Sequence, residues 1–381
     1  MSVEDAWRRW LEAAERERER AEPRDPNLYP HYSENGRWVL LPADRLSSWK
    51  DGVYEHGNWT AGFWFGVMWL AASAGNDRAA ELARTRLPVL ASRAADTTTH
   101  DLGFLFYPAH VLPLGAGLLQ EKEAAPAREA ALTTTRRFNP RGDYLQAFGP
   151  IGDGRSVGTS TIDTMMNLPL LWWAAEKGDP WLKEAARRHT RTSARLFFRP
   201  DGSTYHLLRF DPTSGAVLER GTFQGAAQDS CWSRGQAWAA TGFAWAYLAT
   251  GERELKEAAE RALAYFLDRL PPDGVPPWDF SDTTRNATKD SSAAAVAALG
   301  AQLLGKKRVA ADLLERLAER CLNREPDQDG ILLHSCYSKP HGLGVDGATG
   351  WGDFFFGLAL ALAAGALEPA AAFASPSGGS R

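Results

Sequence analysis

Cysteine is scarce in this chain, and its scarcity excludes several classes of protein. Cys231, Cys321 and Cys336 are the only three among 381 residues. They are too few for a disulfide framework and lack the spacing of a structural zinc site, so a reducing compartment is expected. The eight histidines contain no paired ligand spacing such as H-x-x-x-H, and no metal is expected. The glycine-containing stretch GRSVGTS lacks the lysine and the strand–helix context of a phosphate loop. No serine stands in a strand–turn–helix elbow, which leaves a Ser-His-Asp hydrolase unsupported. An excess of one charge is missing too. Lysine and arginine number 43 against 47 acidic residues, for a net charge of −4, so there is no electrostatic footprint for nucleic acid. The longest apolar run, FFFGLALALAAGAL from Phe354, has 14 residues, short of the roughly 18 a membrane span needs. The first residues, MSVEDAWRRW, contain no signal-like apolar core. A soluble cytoplasmic protein is expected.

What the chain has in plenty is tryptophan, 15 in all, and a repeated unit. An apolar helix ends at a glycine and is followed by an amphipathic, charged helix. The apolar members start near Trp59, Ile162, Ser233 and Asp290, and Gly75, Gly178, Gly251 and Gly305 sit where each must stop in a left-handed cap. A fifth pair is read from Leu102 to Leu119 and Pro126 to Asn139. A sixth is split between the chain ends, Ser2 to Glu19 (Ser2 and Asp5 resembling a capping box) and Trp351 to Ala364. Helices apolar around most of their circumference must be buried, whereas helices with one apolar stripe lie outside. Twelve helices in six pairs predict an all-α (α/α)6 barrel. An open solenoid would expose the apolar set. One domain is expected over 1–368, with a disordered tail over 369–381. A short β-hairpin is expected in STYHLLRFDPTSGAVLERG from Ser203, and a long loop from Pro271.

In such a barrel the inner helices run parallel, so the polar residues at their starts share one rim: Trp59, His100 and Asp101, Asp163, Ser233 and Arg234, Asp290 and Ser291, Trp351 and Asp353. Asp163 opens an apolar helix. Desolvation there should keep it protonated, as a general acid requires, with Ser160 and Thr161 better placed to cap. Asp101, before an aromatic run, reads equally as helix cap or catalytic group, and Asp290 reads as a cap. Arg234 opposes the helix dipole and needs an anionic partner, either a protein carboxylate or a substrate. Taken singly, Trp59, Trp64, Trp238 and Trp278 read as core, and His206 as a surface histidine.

The segments NWTAGFW, HDLGFLF, IDTMMNLPLLWWA, GSTYH, SCWSRGQAWAATGFA, WDF, KDSSAAAVAA and WGDFFFGLAL occur in this order over roughly residues 35 to 365. Together they resemble the unsaturated glucuronyl hydrolases of glycoside hydrolase family 88. The resemblance implies an (α/α)6 barrel that needs no cofactor and acts on oligosaccharides left by polysaccharide lyases, releasing their terminal 4,5-unsaturated uronic acid. By motif it makes Asp163 the general acid/base and Asp101 the second essential carboxylate. Trp59, His100, His206, Gln224, Arg234 and Trp238 become substrate contacts. Two positions depart from familiar forms: Phe223, a possible aglycone contact, stands where histidine is common, and Asn58 where an acid precedes the tryptophan. The implied chemistry is protonation at C4 of a vinyl ether followed by addition of water at C5. The alternatives are an unsaturated rhamnogalacturonyl hydrolase, a sugar epimerase (which would need paired histidines near the rim) and a non-catalytic glycan-binding barrel. RGQAW favours the first-named family, and the HDLGF and IDTMMN carboxylates speak against the last two.

Overall fold

The computed structural model describes residues 1–373, and its architecture follows from the two kinds of helix. Ala61–Ser73 is buried from Ala61 through Ala72, and Ser291–Leu303 and Gly350–Ala363 are buried along nearly their whole length. With Leu102–Gly115, Leu168–Ala175 and Ser233–Thr250 they form an inner ring. The ring closes because Gly350–Ala363 packs on both Ser291–Leu303 and Ala61–Ser73. The outer helices, such as Pro180–Leu196 and Arg253–Asp268, bury single stripes of residues. The sixth pair is split as expected: the N-terminal helix Val3–Ala21 packs on Gly350–Ala363. Its Ser2 side chain accepts from Asp5 N. Gly75, Gly178, Gly251 and Gly305 all adopt positive φ, from 72° to 117°, as helix stops require.

Several details differ from the sequence reading. The helix from Leu102 ends at Gly115 and contains a π turn over Tyr107–Val111. Pro108 and Pro113 explain this, since neither has an N–H to give the preceding turn. The carbonyl of Ala109 accepts from Trp69 Nε1 at 3.0 Å instead. The expected Pro126–Asn139 helix runs over Ala125–Thr135. The predicted hairpin forms as Leu207–Phe210 with Val217–Gly221, and Thr159–Thr161 adds a third strand. Three further hairpins gather near the mouth: Leu28–Glu34 with Arg37–Pro42, Ser48–Lys50 with Val53–Glu55, and Ser335–Ser338 with Leu343–Gly347. Pro369–Phe373, placed in the tail by sequence, is a short helix, and Tyr107 Oη donates to the carbonyl of Ala372. The rest of that tail lies outside the described residues. Among the described residues no helix is long and apolar enough to cross a membrane.

Candidate active site

The starts of the inner helices meet at one end of the barrel, around a narrow chamber. Its walls include Trp59, His100, Asp101, Asp163, Phe223, Gln224, Arg234 and Trp238. Asp163 lies not in a helix interior but in a 3₁₀ turn, Ile162–Met166, between the strand Thr159–Thr161 and the helix Leu168–Ala175. The strand pairs with the predicted hairpin, and this pairing sets the direction in which the turn leaves the sheet. Asp101 occupies the cap position of Leu102–Phe106 but makes no side-chain capping bond. Its carboxylate accepts from Thr99 Oγ1 at 2.9 Å. The cap reading therefore fails for Asp101.

Between the two carboxylates stands His100. Its Nε2 is 3.4 Å from Asp101 Oδ1 and 3.6 Å from Asp163 Oδ2. Asp163 Oδ1 is buried without a hydrogen-bond partner, an oxygen left free to meet a ligand. Burial pushes the Asp101 carboxyl above its ordinary range, despite the opposing pull of His100. Burial pushes Asp163 in the same direction, but the hydrogen bond and charge of His100 outweigh it and hold Asp163 below the ordinary carboxylate range. His100 itself is raised: burial opposes its charge, and the two carboxylates more than compensate. The expectation of a protonated Asp163 is thus corrected: His100 holds its carboxyl in the ionised form. Two carboxylates beside one ring favour the imidazolium more than burial penalises it, which shifts the shared proton towards His100. The three ligand atoms lie within 4.8 Å of one another, close enough to share a proton or to hold a cation. The family resemblance implies no metal.

Arg234 finds its anion within the protein. It pairs with Asp290, and its guanidinium also donates to the carbonyls of Cys336 and Tyr337. Asp290 accepts from Ser292 Oγ and Cys336 N as well, and its side chain caps no N–H of its own helix, so the cap reading of Asp290 is corrected. The pair ties the hairpin that carries Tyr337 to two inner helices.

Sequence comparison then decides the family. The chain is 33% identical over 351 residues to an unsaturated glucuronyl hydrolase of Bacillus sp. (strain GL1), covering 83% of this chain and 90% of that one. The chain belongs to the unsaturated glucuronyl hydrolases. An unsaturated chondroitin disaccharide hydrolase of Streptococcus pyogenes serotype M1 is 35% identical, covering 82% of this chain and 83% of the relative. The crystal structure of the unsaturated glucuronyl hydrolase from Bacillus sp. GL1 superposes with a TM-score of 0.84 at 31% identity, covering 94% of this chain and 96% of that one. A second solved structure, a variant with dGlcA-Glc-Rha-Glc, gives 0.83 at 31% identity, covering 93% and 95%. No protein-family model matches the chain. This glycoside hydrolase therefore has the (α/α)6 barrel that its repeats predict.

Within that family frame, the remaining expected contacts divide. Trp59 is half-buried, stacked on Trp351 at 4.9 Å, and borders the chamber. Trp238 borders it too but is 1% exposed, packed on Phe104 and Phe355. Gln224 donates to the Tyr337 carbonyl at 2.9 Å. His206, read as a surface residue, is 2% exposed. Its ring lies against Phe223 and Trp232, with centroid separations of 5.0 and 4.5 Å, and both of those rings line the chamber. Asn58 is fully buried and accepts from Thr60 N and Ala61 N, holding the start of the Trp59 helix. Trp64 and Trp278 are core, as read.

Sequence reasoning missed His56, Phe104, Phe148, Trp232 and Tyr337, all of which line the chamber. Phe104 and Trp232 were in sight, inside HDLGF and SCWSRGQAW. His56, Phe148 and Tyr337 lie on hairpins and irregular segments where no periodicity points to a wall.

Proposed function

We propose that the protein removes the terminal 4,5-unsaturated uronic acid from lyase-generated oligosaccharides by hydrating the C4=C5 bond. The observation that carries this reading is the single nitrogen His100 Nε2, set within ion-pair distance of two carboxylates in the wall of an aromatic chamber. Before substrate arrives, His100 and Asp163 hold one proton between them, drawn towards the imidazole. An arriving uronate adds a negative charge beside them, raises the proton affinity of Asp163 and favours transfer to it. The Asp163 carboxyl then protonates C4, and positive charge develops at C5 and the ring oxygen. Water adds at C5 while Asp163, now a carboxylate, takes the proton that water releases. The C5 hemiketal opens to a ketone, and the freed hydroxyl at C1 leaves a hemiacetal that expels the aglycone as an alcohol. Asp101 supports the imidazolium. Trp59, Trp238, Gln224 and Arg234 are proposed to shape the sugar site, with His206 as a positioning residue beside Phe223 and Trp232 and Phe223 at the aglycone side.

Residues 1–368 are proposed as one catalytic domain, since the ring is completed by helices from both ends of that span. A reducing, cytoplasmic setting fits the three cysteines, all free and buried. The test compares an unsaturated disaccharide, followed by loss of near-ultraviolet absorbance, with the saturated glucuronide of the same aglycone. Only the first should turn over. In heavy-oxygen water the label should enter at C5. Turnover of the saturated glucuronide, or label at the anomeric carbon, would instead make this a two-carboxylate glycosidase acting by displacement.

A further inference from the structure

The chamber beside the carboxylates measures only about 30 Å³ and opens into a larger vestibule of about 640 Å³. Five residues belong to both and form the neck: His56, Phe148, Phe223, Gln224 and Tyr337. A bond being cleaved in the chamber must place the following sugar at or beyond this neck. Among the five side chains, His56 is the one with two polar atoms that are both without a hydrogen-bond partner. Gln224 Nε2 is already engaged, Phe148 and Phe223 are apolar, and Tyr337 stacks on Tyr32 at 5.4 Å. The His56 ring makes only aromatic contacts: stacked on Phe223 at 5.9 Å and 12°, and edge-on to Tyr54 at 4.8 Å. Neither of its nitrogens has a hydrogen-bond partner among the described residues. The segment behind it is pinned, since Gly57 N donates to Ser47 Oγ at 2.8 Å and Asn58 N to the Arg45 carbonyl at 2.9 Å. A ring held in place with its polar edge unused is built to meet a ligand group.

The charges around it indicate which group. The two arginines lining the vestibule both have carboxylate partners, Arg45 with Glu55 and Arg209 with Glu219, each at 3.4 Å. His341 shares a hydrogen bond with Ser338 Oγ at 2.7 Å. We propose that His56 is a specificity-determining residue whose imidazole hydrogen-bonds a hydroxyl of the sugar following the scissile bond, selecting an uncharged, hydroxylated aglycone over one sulfated at that position. The inference rests on the hydration reading above. Whichever nitrogen of a neutral imidazole faces the ligand, a hydroxyl can answer it, accepting from its N–H or donating to its lone pair, whereas a sulfate can only accept and meets no positive charge there. His56 stays neutral at pH 7. Burial brings it down to about 4, with His100 and His341 adding to that effect and Asp163 opposing it.

The experiment measures kcat/KM of the wild type, His56→Phe and His56→Gln on three unsaturated uronides: one with a simple alkyl aglycone, one with an unsulfated sugar and one with a sulfated sugar. The wild type should prefer the unsulfated disaccharide over both others. In His56→Phe, which keeps the stacking, each preference should fall by about tenfold, the worth of one hydrogen bond, and chiefly through KM. His56→Gln, which keeps a donor and an acceptor, should recover part of it. If both preference ratios are unchanged in His56→Phe, or all three substrates decline together, His56 does not read the aglycone. If the wild type hydrolyses none of the three, the hydration reading falls and takes this inference with it.

Discussion

At the scale of single residues, Asp163 and Asp101 share one histidine with opposite electrostatic outcomes: the hydrogen bond and charge of His100 outweigh burial at Asp163, whereas at Asp101 burial, joined by the charge of Asp163, outweighs His100. Asp163→Asn keeps the size and polarity of the side chain but cannot cycle a proton. Loss of a general acid–base group costs on the order of 10²- to 10⁴-fold in rate. Steady-state kinetics on an unsaturated disaccharide should show that loss in kcat with KM little changed, and more than about a tenth of the wild-type rate remaining would exclude the role. Asp101→Asn should lower kcat severely as well. It should also lower the pH at which His100 titrates, visible by NMR of the ring, because one of the two carboxylates that raise it is gone. A structural cap would have shown normal turnover and reduced stability. The geometry already removes that option, since the Asp101 side chain caps nothing.

At the scale of elements, the motif glycines explain how the two carboxylates come together. A Cβ on Gly103, in HDLGF, would lie 2.4 Å from Asn167 Cα, and one on Gly62, in WTAGFW, 2.3 Å from the carbonyl oxygens of Phe104 and Leu105. Only a hydrogen side chain lets these neighbouring elements approach so closely. Asn167 then locks the junction: its Oδ1 accepts from Phe104 N at 2.9 Å. Gly103→Ala should therefore push the Asp101 helix away from the Asp163 turn. Forcing one methyl group into such a contact costs about 1–3 kcal/mol, so the melting temperature should drop and kcat should fall more than KM rises. An unchanged kcat alongside a reduced Tm would mean that the carboxylates tolerate the shift. The hairpins around the mouth were also legible in part. Asn35-Gly36 and Asp51-Gly52 are two-residue turns with positive φ at both positions, the sequence signal for hairpins of this kind. The strands they join are short and lack clean alternation, so the reading passed over them.

At the scale of the whole molecule, the barrel buries several histidines as neutral rings. Burial lowers His31, His110 and His189 to about 3. In the unfolded chain each takes a proton near pH 6.5; in the folded protein none does until about pH 3. The stability they contribute is thus complete above pH 6.5 and lost as the pH falls towards 3. Each ring adds about 1.4 kcal/mol per pH unit across that window. Asp353, raised by burial even as it accepts from Leu332 N and Ile331 N, acts in the opposite direction and moderates the slope. Calorimetry between pH 7 and pH 5 should show stability falling on acidification. His110→Phe should make the slope shallower by about one proton, since His110 already stacks on Phe106 and its Nδ1 has no partner to lose. A slope unchanged by that substitution would mean His110 is not neutral in the fold.

The sequence by itself determined the barrel, the split sixth pair, the glycine stops and the rim on which Asp101, His100 and Asp163 converge. These follow from local hydrophobic period and chain order, which are written in consecutive residues. Only the tertiary structure decided how His100 pulls the two carboxylates apart in proton affinity, that Arg234 serves Asp290 and two carbonyls, that His206 is buried against Phe223 and Trp232, and that His56 stands free at the neck of the chamber. Each of those depends on side chains brought together from segments far apart in the chain, where the balance of burial against a neighbouring charge is set by distances of 3 to 4 Å that no spacing in the sequence records.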